Sequence, residues 1–400
     1  MVESIAANYY VRLLDQLSTQ VDVFDRFTSI NINDKLNGVG SFTVTFDDLS
    51  NERKNRFIVD GQVEIYRSVP GMGVGWYPEF AGFHRKEEET ITKDKKQIFQ
   101  SIGVGYNSLL ERTNIAFKEG TIRADKFAVA ETVMKEYVEE NCGPTASTET
   151  AVGRIIDGVL PYFSVQADAG LGPLWSGSRA FENLLDTLQA ISNYAKVDFD
   201  VMRSGSPWFF FRTYTLLKGS DRTTVGLDSS TGLNAAGNPP VTLSVDLGNL
   251  QQSTYENDRL EEANVCIVLG DGERSTREVL ARSTPATTDS PWNRMEVARP
   301  SQPAYIPGLS EEAAAELKTY SMQQTGDEVL EELQAKQDFT FTPLQQPSTL
   351  YGLHYFMGDR VTVQFRGITV HKRIIGVQIR VQKDRETITL DVASFVTGTQ

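Results

Sequence analysis

The feature that most constrains the fold is a strict alternation of apolar and polar residues in segments near both ends of the chain. In SFTVTF, the residues Phe42, Val44 and Phe46 alternate with serine and threonine, and RVTVQF, GVQIRVQ and ETITLDV repeat the pattern in the C-terminal part. Residues two apart lie on one face of a strand, so this pattern is typical of half-buried strands. The sequence therefore predicts a β region of barrel or sandwich type at each end.

Between these regions the apolar period changes to three and four residues, which is typical of amphipathic helices. The first helix should start at Asp125 as N-cap and stop at Gly143-Pro144. Its apolar positions are Phe127, Ala130, Met134, Tyr137 and Val138. This change of period predicts a separate, helix-containing middle region.

Two further helical segments are predicted. An apolar stripe runs from Phe181 to Ala195, and Ser178 is the expected N-cap. A longer helix is expected over residues 310–336, where Glu311 and Glu312 in the first turn suit the helix dipole. Gly326 is expected to be a weak point of that helix, because glycine is a poor helix former.

Several shorter segments carry turn signals between strand patterns. VDFDVMRSGSPWFFFRTYTLL predicts two strands joined by the Ser-Gly-Ser-Pro turn, and glycines 71, 73 and 75 predict a long hairpin loop. In ANVCIVLGDGE, the residues Val265, Ile267 and Leu269 are expected to share one face of a strand before a turn over residues 270–272.

The length of 400 residues exceeds what one hydrophobic core usually organises. The polar segment SSTGLNAAGNPP after Asp228 is interpreted as a linker. The predicted layout is an N-terminal β domain over residues 1–110, an α+β domain over 111–239, and a second β domain over 240–400 with the helical segment 310–336 inserted. The fold class is α+β, mainly β.

Charge and cysteine content exclude some classes of function. The formal net charge of -14, from 53 acidic and 39 basic residues, argues against a surface that binds nucleic acid by neutralising phosphates. Cys142 and Cys266 are too few for a disulfide framework or a paired-cysteine zinc site, and both are expected to be buried, reduced thiols. Neither a signal peptide nor a membrane span is recognisable, so synthesis in the cytoplasm is expected.

No catalytic motif stands out. The chain has no phosphate-binding loop, HExxH or GxSxG, and its three histidines, His84, His354 and His371, are scattered, so they are interpreted as surface or turn residues and not as a metal site. Glu87 and Glu88 are interpreted as part of a solvated strand edge, because consecutive strand residues point to opposite faces and cannot line one glycosidase cleft.

Three weaker motifs are interpreted structurally. GMGVGW lacks the helix that a dinucleotide fingerprint needs, so its glycines are assigned to a loop. WFFF at residues 208–211 is expected to be mostly core and not a stacking platform for bases or sugars. Asp168 and the two glycines after it predict a tight turn, since the alternating carboxylates of a calcium loop are missing.

Several long segments resemble a known family. They are YYVRLLDQLSTQVDVFDRFTSININDKLNGVGSFTVTF, FSVQADAGLGPLWSGSRAFENLLDTLQAISNYAKVDFDV, FRTYTLLKGSDRT, VDLGNLQQSTYENDRLEEANVCIVLGDGERSTREV and YFMGDRVTVQFRGITVHKRIIGVQIRVQKDRETITLDVAS. They are similar to the hub, or tail-associated, proteins of siphophage tail tips, which are related in fold to the baseplate hub of contractile phages. The resemblance runs the length of the chain and carries no catalytic residue.

The resemblance implies a structural role and not an enzyme: two β-barrel-like tube domains flanking the middle domain, in a homotrimer that caps the distal end of the tail tube. The implied partners are the distal tail protein, the tape measure protein and tail fibre or spike proteins, with genomic DNA passing without specific binding. No catalytic, cofactor or metal residue and no membrane insertion is expected. The expected location is the virion tail tip, assembled in the host cytoplasm.

Because the sequence ends at Gln400, soon after the last strand pattern, contact with the host is expected to fall to other proteins. Three alternatives remain open at this point: a tail-tip cell-wall hydrolase, a carbohydrate-binding module that recognises the host, and a hub of a contractile injection system. A hydrolase needs converging titratable groups in a cleft, and a sugar-binding module needs an exposed row of aromatic side chains.

Overall fold

The computed structural model describes residues 7–148, 154–214, 217–365, 367–382 and 385–394. Its N-terminal part is built mainly of strands, as the alternating pattern predicts, and also contains two short helices. These elements are β1 (Asn8–Leu14), β2 (Gln20–Phe24), β3 (Ser29–Lys35), β4 (Ser41–Asp47), α1 (Asn51–Lys54), β5 (Gln62–Val69), β6 (Val74–Ile91), β7 (Gln97–Gly105) and α2 (Ser108–Glu111).

The middle part alternates short strands with two helices of intermediate length. Its elements are β8 (Ala124–Val129), α3 (Ala130–Asn141), β9 (Phe163–Val165), β10 (Leu174–Arg179), α4 (Leu184–Ala195), β11 (Phe199–Arg203), β12 (Phe209–Thr213) and β13 (Asp221–Arg222). Strands β11 and β12 form the hairpin predicted around the Ser-Gly-Ser-Pro turn.

The C-terminal part returns to strands around one long helix. Its elements are β14 (Thr242–Ser244), β15 (Leu250–Asp258), β16 (Val265–Leu269), β17 (Val279–Ser283), β18 (Glu296–Pro300), α5 (Glu311–Glu332), β19 (Lys336–Pro343), β20 (Arg360–Phe365), β21 (Ile368–Gln382) and β22 (Arg385–Ser394). The mainly β class with a helix-containing middle is confirmed.

One large sheet unites the two β regions. Its strands follow the order β15-β19-β22-β21-β3-β4-β7-β6-β5-β1-β2, with β20 attached to β21 and carrying β13 and β14. The two regions meet where β3 pairs antiparallel with β21, with Ile32 opposite Ile379. Both side chains are buried in one hydrophobic core that draws on the two ends of the chain. Non-local pairing of this kind could not be deduced from alternation alone.

The strands β13 and β14 lie on either side of the predicted linker, and both pair with β20. The linker itself is held by Asn234, whose Nδ2 donates to the carbonyl oxygens of Asp221 (2.9 Å) and Thr223 (3.0 Å). The chain therefore crosses the proposed boundary within one shared sheet. The domain limits at residues 110 and 239 stay a prediction.

The middle part has its own apolar core, in which α3 and α4 pack on small sheets. Trp175 on β10 is fully buried and meets the ring of Tyr137 edge-on, with ring centroids 6.0 Å apart. Cys142 lies in the same core, and Cys266 is buried elsewhere; both are free thiols, as expected. Burial raises the pKa of the Cys142 thiol to about 11.

Two of the predicted helix starts are wrong. Asp125 lies within β8, which pairs with β10, and α3 begins only after Val129. Ser178 lies in β10, and the cap of α4 is Asn183, whose Oδ1 accepts from the backbone N–H groups of Leu185 (3.0 Å) and Asp186 (3.3 Å). In both places the backbone N–H and C=O groups are hydrogen-bonded by the pairing of β8 with β10. Local capping signals in the sequence do not reveal such a contact between distant segments.

The third helix is confirmed and capped by Ser310, whose Oγ accepts from the N–H of Ala313. The helix ends at Glu332, four residues before the predicted end at residue 336. Residue 336 is instead the first residue of β19. Gly326 is buried, and a Cβ built on it would lie 2.4 Å from Cγ of Arg282. The absence of a side chain at Gly326 therefore lets α5 pack closely against β17. The sequence had indicated only that this glycine weakens the helix.

The predicted strand with Val265, Ile267 and Leu269 on one face is confirmed as β16, and α5 covers the opposite face. Cys266 and Val268 are fully buried against α5, with Met322, Val329 and Leu330 completing this small cluster. Ile267 and Leu269, by contrast, are half-buried. Every residue of VCIVL is apolar, so the face that α5 covers is chosen by packing and not by the pattern. Among the described residues, no helix is long and apolar enough to span a membrane.

Candidate functional site

The three histidines lie in three different settings. His84 is 2% exposed, contrary to the predicted surface or turn position, and its Nδ1 lies 2.8 Å from Ser101 Oγ between β6 and β7. Burial, assisted by the charge of Arg85, lowers its pKa to about 4, so the ring is neutral at pH 7. His354 does lie in a turn, where its Nδ1 accepts from the N–H of Leu350 at 2.9 Å.

His371 lies on β21, and its Nδ1 is 3.1 Å from Thr362 Oγ1 on the neighbouring strand. Over the described ranges, no group of three or more His, Cys, Asp or Glu side chains is arranged to hold a metal ion.

The acidic run after Lys86 forms an exposed arm of β6. Residues Glu87, Glu88 and Glu89 all face solvent, and Lys86 Nζ donates to Glu88 Oε2 at 2.9 Å. Strand β5 pairs with β6 only as far as Phe83, so this stretch is a sheet edge on that side. The predicted solvated edge is confirmed, and charged side chains are the usual protection of such an edge against unwanted pairing.

The glycine-rich hairpin is tighter than predicted. A short 3-10 turn over Pro70–Met72 leads directly into β6, and Gly73 has φ of 72°, a left-handed conformation that suits glycine. A strand and not a helix follows, so no N-terminal dipole is present to hold a pyrophosphate.

The aromatic run and the Asp168 loop behave as predicted. Phe209 and Phe211 are buried, whereas Trp208 is 47% exposed, so strand alternation places half of the run in the core. Asp168 closes a turn, because its Oδ1 accepts from the N–H of Gly170 at 3.1 Å.

Buried polar groups concentrate instead at the contact between the N-terminal and C-terminal β regions. Arg67 on β5 is fully buried and donates from Nε and Nη2 to the two carboxylate oxygens of Glu386 on β22, at 2.7 and 2.9 Å. The Tyr9 hydroxyl also donates to Glu386, and Arg67 Nη1 donates to the carbonyl oxygen of Tyr351 at 2.9 Å. The ion pair therefore joins residues more than three hundred positions apart in sequence, and its donors and acceptors are matched.

A second carboxylate borders this cluster. Glu79 accepts from the hydroxyls of Tyr77 (2.8 Å) and Tyr351 (3.0 Å), which lie on opposite sides of the same contact. Burial raises the pKa of Glu79 to about 6, and nearby Arg67 opposes the shift. This is a group whose charge changes near neutral pH, and the charge of Glu386 nearby contributes to the raised pKa.

The middle part is fastened to both β regions by similar pairs. Glu64 on β5 accepts from Arg12 Nε at 2.7 Å and from Arg203 on β11. Asp198 binds Arg373 on β21 and accepts from Asn37 Nδ2 at 2.8 Å. A cleft of about 390 Å³ lies between these elements, and the Glu64–Arg203 and Asp200–Arg212 pairs line it together with Glu79. Paired charges of this kind position segments.

The two ends of the large sheet expose different chemistry. On β2, Val21 and Val23 are 37% and 41% exposed, and Leu17 and Val59 nearby are 53% and 57% exposed. At the other end, β15 exposes Thr254 and Glu256 together with Tyr255, which is 48% exposed. Within the described ranges, no strand pairs with the outer side of either one. Two unlike, open edges are available for contact with other chains.

The sequence was compared with models of protein families. The model of the Siphovirus ReqiPepy6 Gp37-like protein family matches residues 10–392, nearly the whole chain. The chain belongs to this family. The resemblance to siphophage tail proteins is thereby confirmed. A search of curated proteins found no match.

Solved structures show where else this family's fold occurs. A tail protein from Neisseria meningitidis is 13% identical, with a TM-score of 0.54 over 97% of this chain and 96% of that chain. The 43 kDa tail protein of prophage MuSo2 from Shewanella oneidensis is 10% identical, with a TM-score of 0.54 over 97% and 98%. A chain of the lidded Francisella PdpA-VgrG complex is 9% identical, with a TM-score of 0.53 over 97% and 52%. This family member thus has the fold of phage tail proteins, shared with VgrG-type chains.

Proposed function

We propose that this protein is the structural hub of a phage tail tip. In this role it caps the distal end of the tail tube and joins the distal tail protein to the tape measure protein. The observation that carries the proposal is the single sheet in which the two β regions meet through β3 and β21 and which ends in two unlike open edges. Such a chain offers two different contact surfaces, and a closed cyclic ring needs a pair of this kind.

The proposed assembly is a homotrimer in which the β regions 1–110 and 240–400 of each subunit alternate around the ring. Three chains would then present six β units to a sixfold tail tube. The apolar edge at β2 and the polar edge at β15 support a contact between unlike surfaces, because either edge left open would invite uncontrolled pairing. Tail fibre or spike proteins would attach to the same particle.

The proposal also covers the passage of DNA. A trimer carries three times the net charge of -14, and acidic or neutral walls repel the phosphates of a passing duplex. We expect the wall of the channel to be poor in lysine and arginine. The protein would act at the virion tail tip, after assembly in the host cytoplasm.

Imaging of intact tails by cryo-electron microscopy tests the assembly. Three copies per tail tip, with the two β regions of each chain superposable and alternating, are expected. Two or six copies, β regions of unrelated fold, or a channel wall dominated by lysine and arginine would contradict the proposal.

We further propose that the chain is not an enzyme, because Glu64 and Asp200 in its cleft are paired with arginines and its histidines lie apart. Purified protein should release neither sugar nor peptide from bacterial cell walls. Turnover that disappears in Glu88→Gln would favour the hydrolase alternative, and Glu52→Gln, another exposed carboxylate, is the matched control.

A further inference from the structure

Three aromatic side chains from three strands stand together on the face of the large sheet that points away from its core. Tyr10 on β1 lies opposite Tyr66 on β5, and Tyr66 lies opposite Pro78 on β6. Trp76 precedes Pro78 by two residues in β6, so its side chain lies on the same face. Tyr10, Tyr66 and Trp76 are called the aromatic row below. Its members come from three separate segments, so the linear sequence does not reveal it.

The aromatic row is held in place by contacts between its own rings. Tyr10 stacks on Tyr66 with ring centroids 4.7 Å apart, and it meets Trp76 in a T-shaped contact at 4.8 Å. The guanidinium of Arg12 lies 5.0 Å from the centroid of the Tyr66 ring, and its Nη2 donates to the Tyr66 hydroxyl at 2.7 Å. Trp76 nevertheless remains 51% exposed. An exposed ring that its neighbours already fix loses little freedom when a ligand binds to it.

The cleft of about 390 Å³ begins beside the aromatic row. Tyr66 and Pro78 belong both to the face that carries the row and to the lining of the cleft. The volume of the cleft falls within the range of about 300–1,000 Å³ that is usual for small-ligand sites. A ligand of more than one ring would therefore reach the row with one part and the cleft with another.

The charges of the cleft cancel. Among the described residues that line it, four are acidic and four are basic. Arg203 binds Glu64, whereas the Asp34 carboxylate accepts, among the described hydrogen bonds, only from the backbone N–H of the next residue at 2.9 Å. A nucleic acid needs excess positive charge and a basic peptide needs excess negative charge, so a balanced cleft favours neither. Donors and acceptors side by side suit hydroxyl groups, which do both.

We propose that the aromatic row and the cleft bind a neutral oligosaccharide of β-linked pyranose rings. One ring stacks with its C–H face on Trp76, and the chain continues over Tyr66 and Pro78, so that hydroxyls of the next ring reach Asp34 and Arg203. Such sugars combine flat apolar faces with a rim of hydroxyls, and the site combines aromatic rings with donors and acceptors. This binding activity is additional to the proposed structural role, and neither depends on the other.

The test uses the purified full chain, with cellotetraose and the β-linked tetramer of N-acetylglucosamine as probes. Isothermal titration calorimetry should show saturable binding of at least one of them. Trp76→Ala should weaken that binding at least about tenfold, because the exposed indole is the stacking surface, and Trp76→Phe should retain most of the affinity. Asp34→Ala should weaken it by roughly tenfold, because a charge-assisted hydrogen bond to a sugar hydroxyl is lost.

Trp292→Ala is the matched control, because Trp292 is an exposed tryptophan that does not line the cleft. Its affinity for the sugar should equal that of the unchanged protein. Absence of saturable binding of both sugars, or equal binding by Trp76→Ala, would overturn the proposal.

Two further results would overturn the proposal by naming a different occupant. Binding of a thymidine octamer in place of both sugars would make a nucleic acid the ligand. Self-association that Trp76→Ala abolishes in sedimentation would make a second copy of the chain the partner of the aromatic row. A tail tip that contains the proposed ring while the protein binds neither sugar would overturn this inference alone.

Discussion

The contact between the two β regions and the attachment of the α5 region are built in opposite ways. The first combines the β3–β21 backbone ladder with one large apolar core and the buried Arg67–Glu386 pair. The second unites α5 with the three-stranded sheet β17-β16-β18 around a small apolar cluster. It meets the middle part largely through side-chain bonds, such as that from Trp175 Nε1 to Glu328 Oε1 at 2.9 Å.

The difference shows how one chain can combine a rigid frame with an adaptable surface. Opening the first contact exposes buried apolar area and breaks sheet pairing, so it should happen only with global unfolding. Opening the second breaks a few polar bonds and a cluster of few residues. Elements of low local stability are those that binding surfaces usually employ.

The largest effect should come from Arg67→Ala. The substitution leaves Glu386 buried without its bidentate partner, and removing one member of a buried pair typically costs about 3–5 kcal/mol. Urea denaturation monitored by circular dichroism would measure the free energy of unfolding. Arg294→Ala is the control, because the Arg294–Glu296 pair is exposed and should contribute less than about 1 kcal/mol. Equal costs for the two variants would show that the buried pair does not hold the β regions together.

Two substitutions of large aliphatic residues by alanine, one in each region, should destabilise different parts of the molecule. Ile379→Ala on β21 and Leu330→Ala on α5 each remove a buried side chain, at about 2–5 kcal/mol of local stability. The first should lower the free energy of global unfolding. The second should increase amide hydrogen exchange in α5 and β16 and leave the large sheet unchanged. If Leu330→Ala accelerates exchange in β3 and β21 equally, the two regions unfold as one unit.

A smaller effect is expected from the titration of Glu79. Its pKa is raised from 4.5 to about 6 in the folded protein, so the folded state holds the proton more tightly than the unfolded state. The protonated carboxyl therefore contributes stability that is complete below about pH 4.5 and is lost as pH rises through 6, about 2 kcal/mol in all.

Glu79→Gln, which cannot ionise, should remove this part of the pH dependence and be at least as stable as the unchanged protein at pH 8. Thermal unfolding between pH 4 and pH 8 would show it. Glu88→Gln, on the exposed arm, should leave the profile as it is. A Glu79→Gln profile that keeps the full slope would assign the pH dependence to other groups.

The nature of the elements was largely predictable from the sequence, and the candidate sites were not. Alternation located β4, β20, β21 and β22, and the capped long helix was placed correctly at Ser310. The starts of α3 and α4 were missed because β8 and β10 pair with each other, a contact between distant segments. No local signal marked Arg67 or Glu79, since an arginine or a glutamate in a strand is ordinarily exposed.

Side-chain period and composition by themselves determined that this chain is mainly β, with helices in the middle and a net negative charge, because those properties depend on neighbours in sequence. The pairing of β3 with β21, the face of β16 that is buried and the role of Gly326 as a packing position were decided only by the tertiary structure. Each of these depends on which distant surface covers a segment. Burial changes the cost of every charge it encloses, so the partners of Arg67 and Glu79 could be found only after the chain had folded.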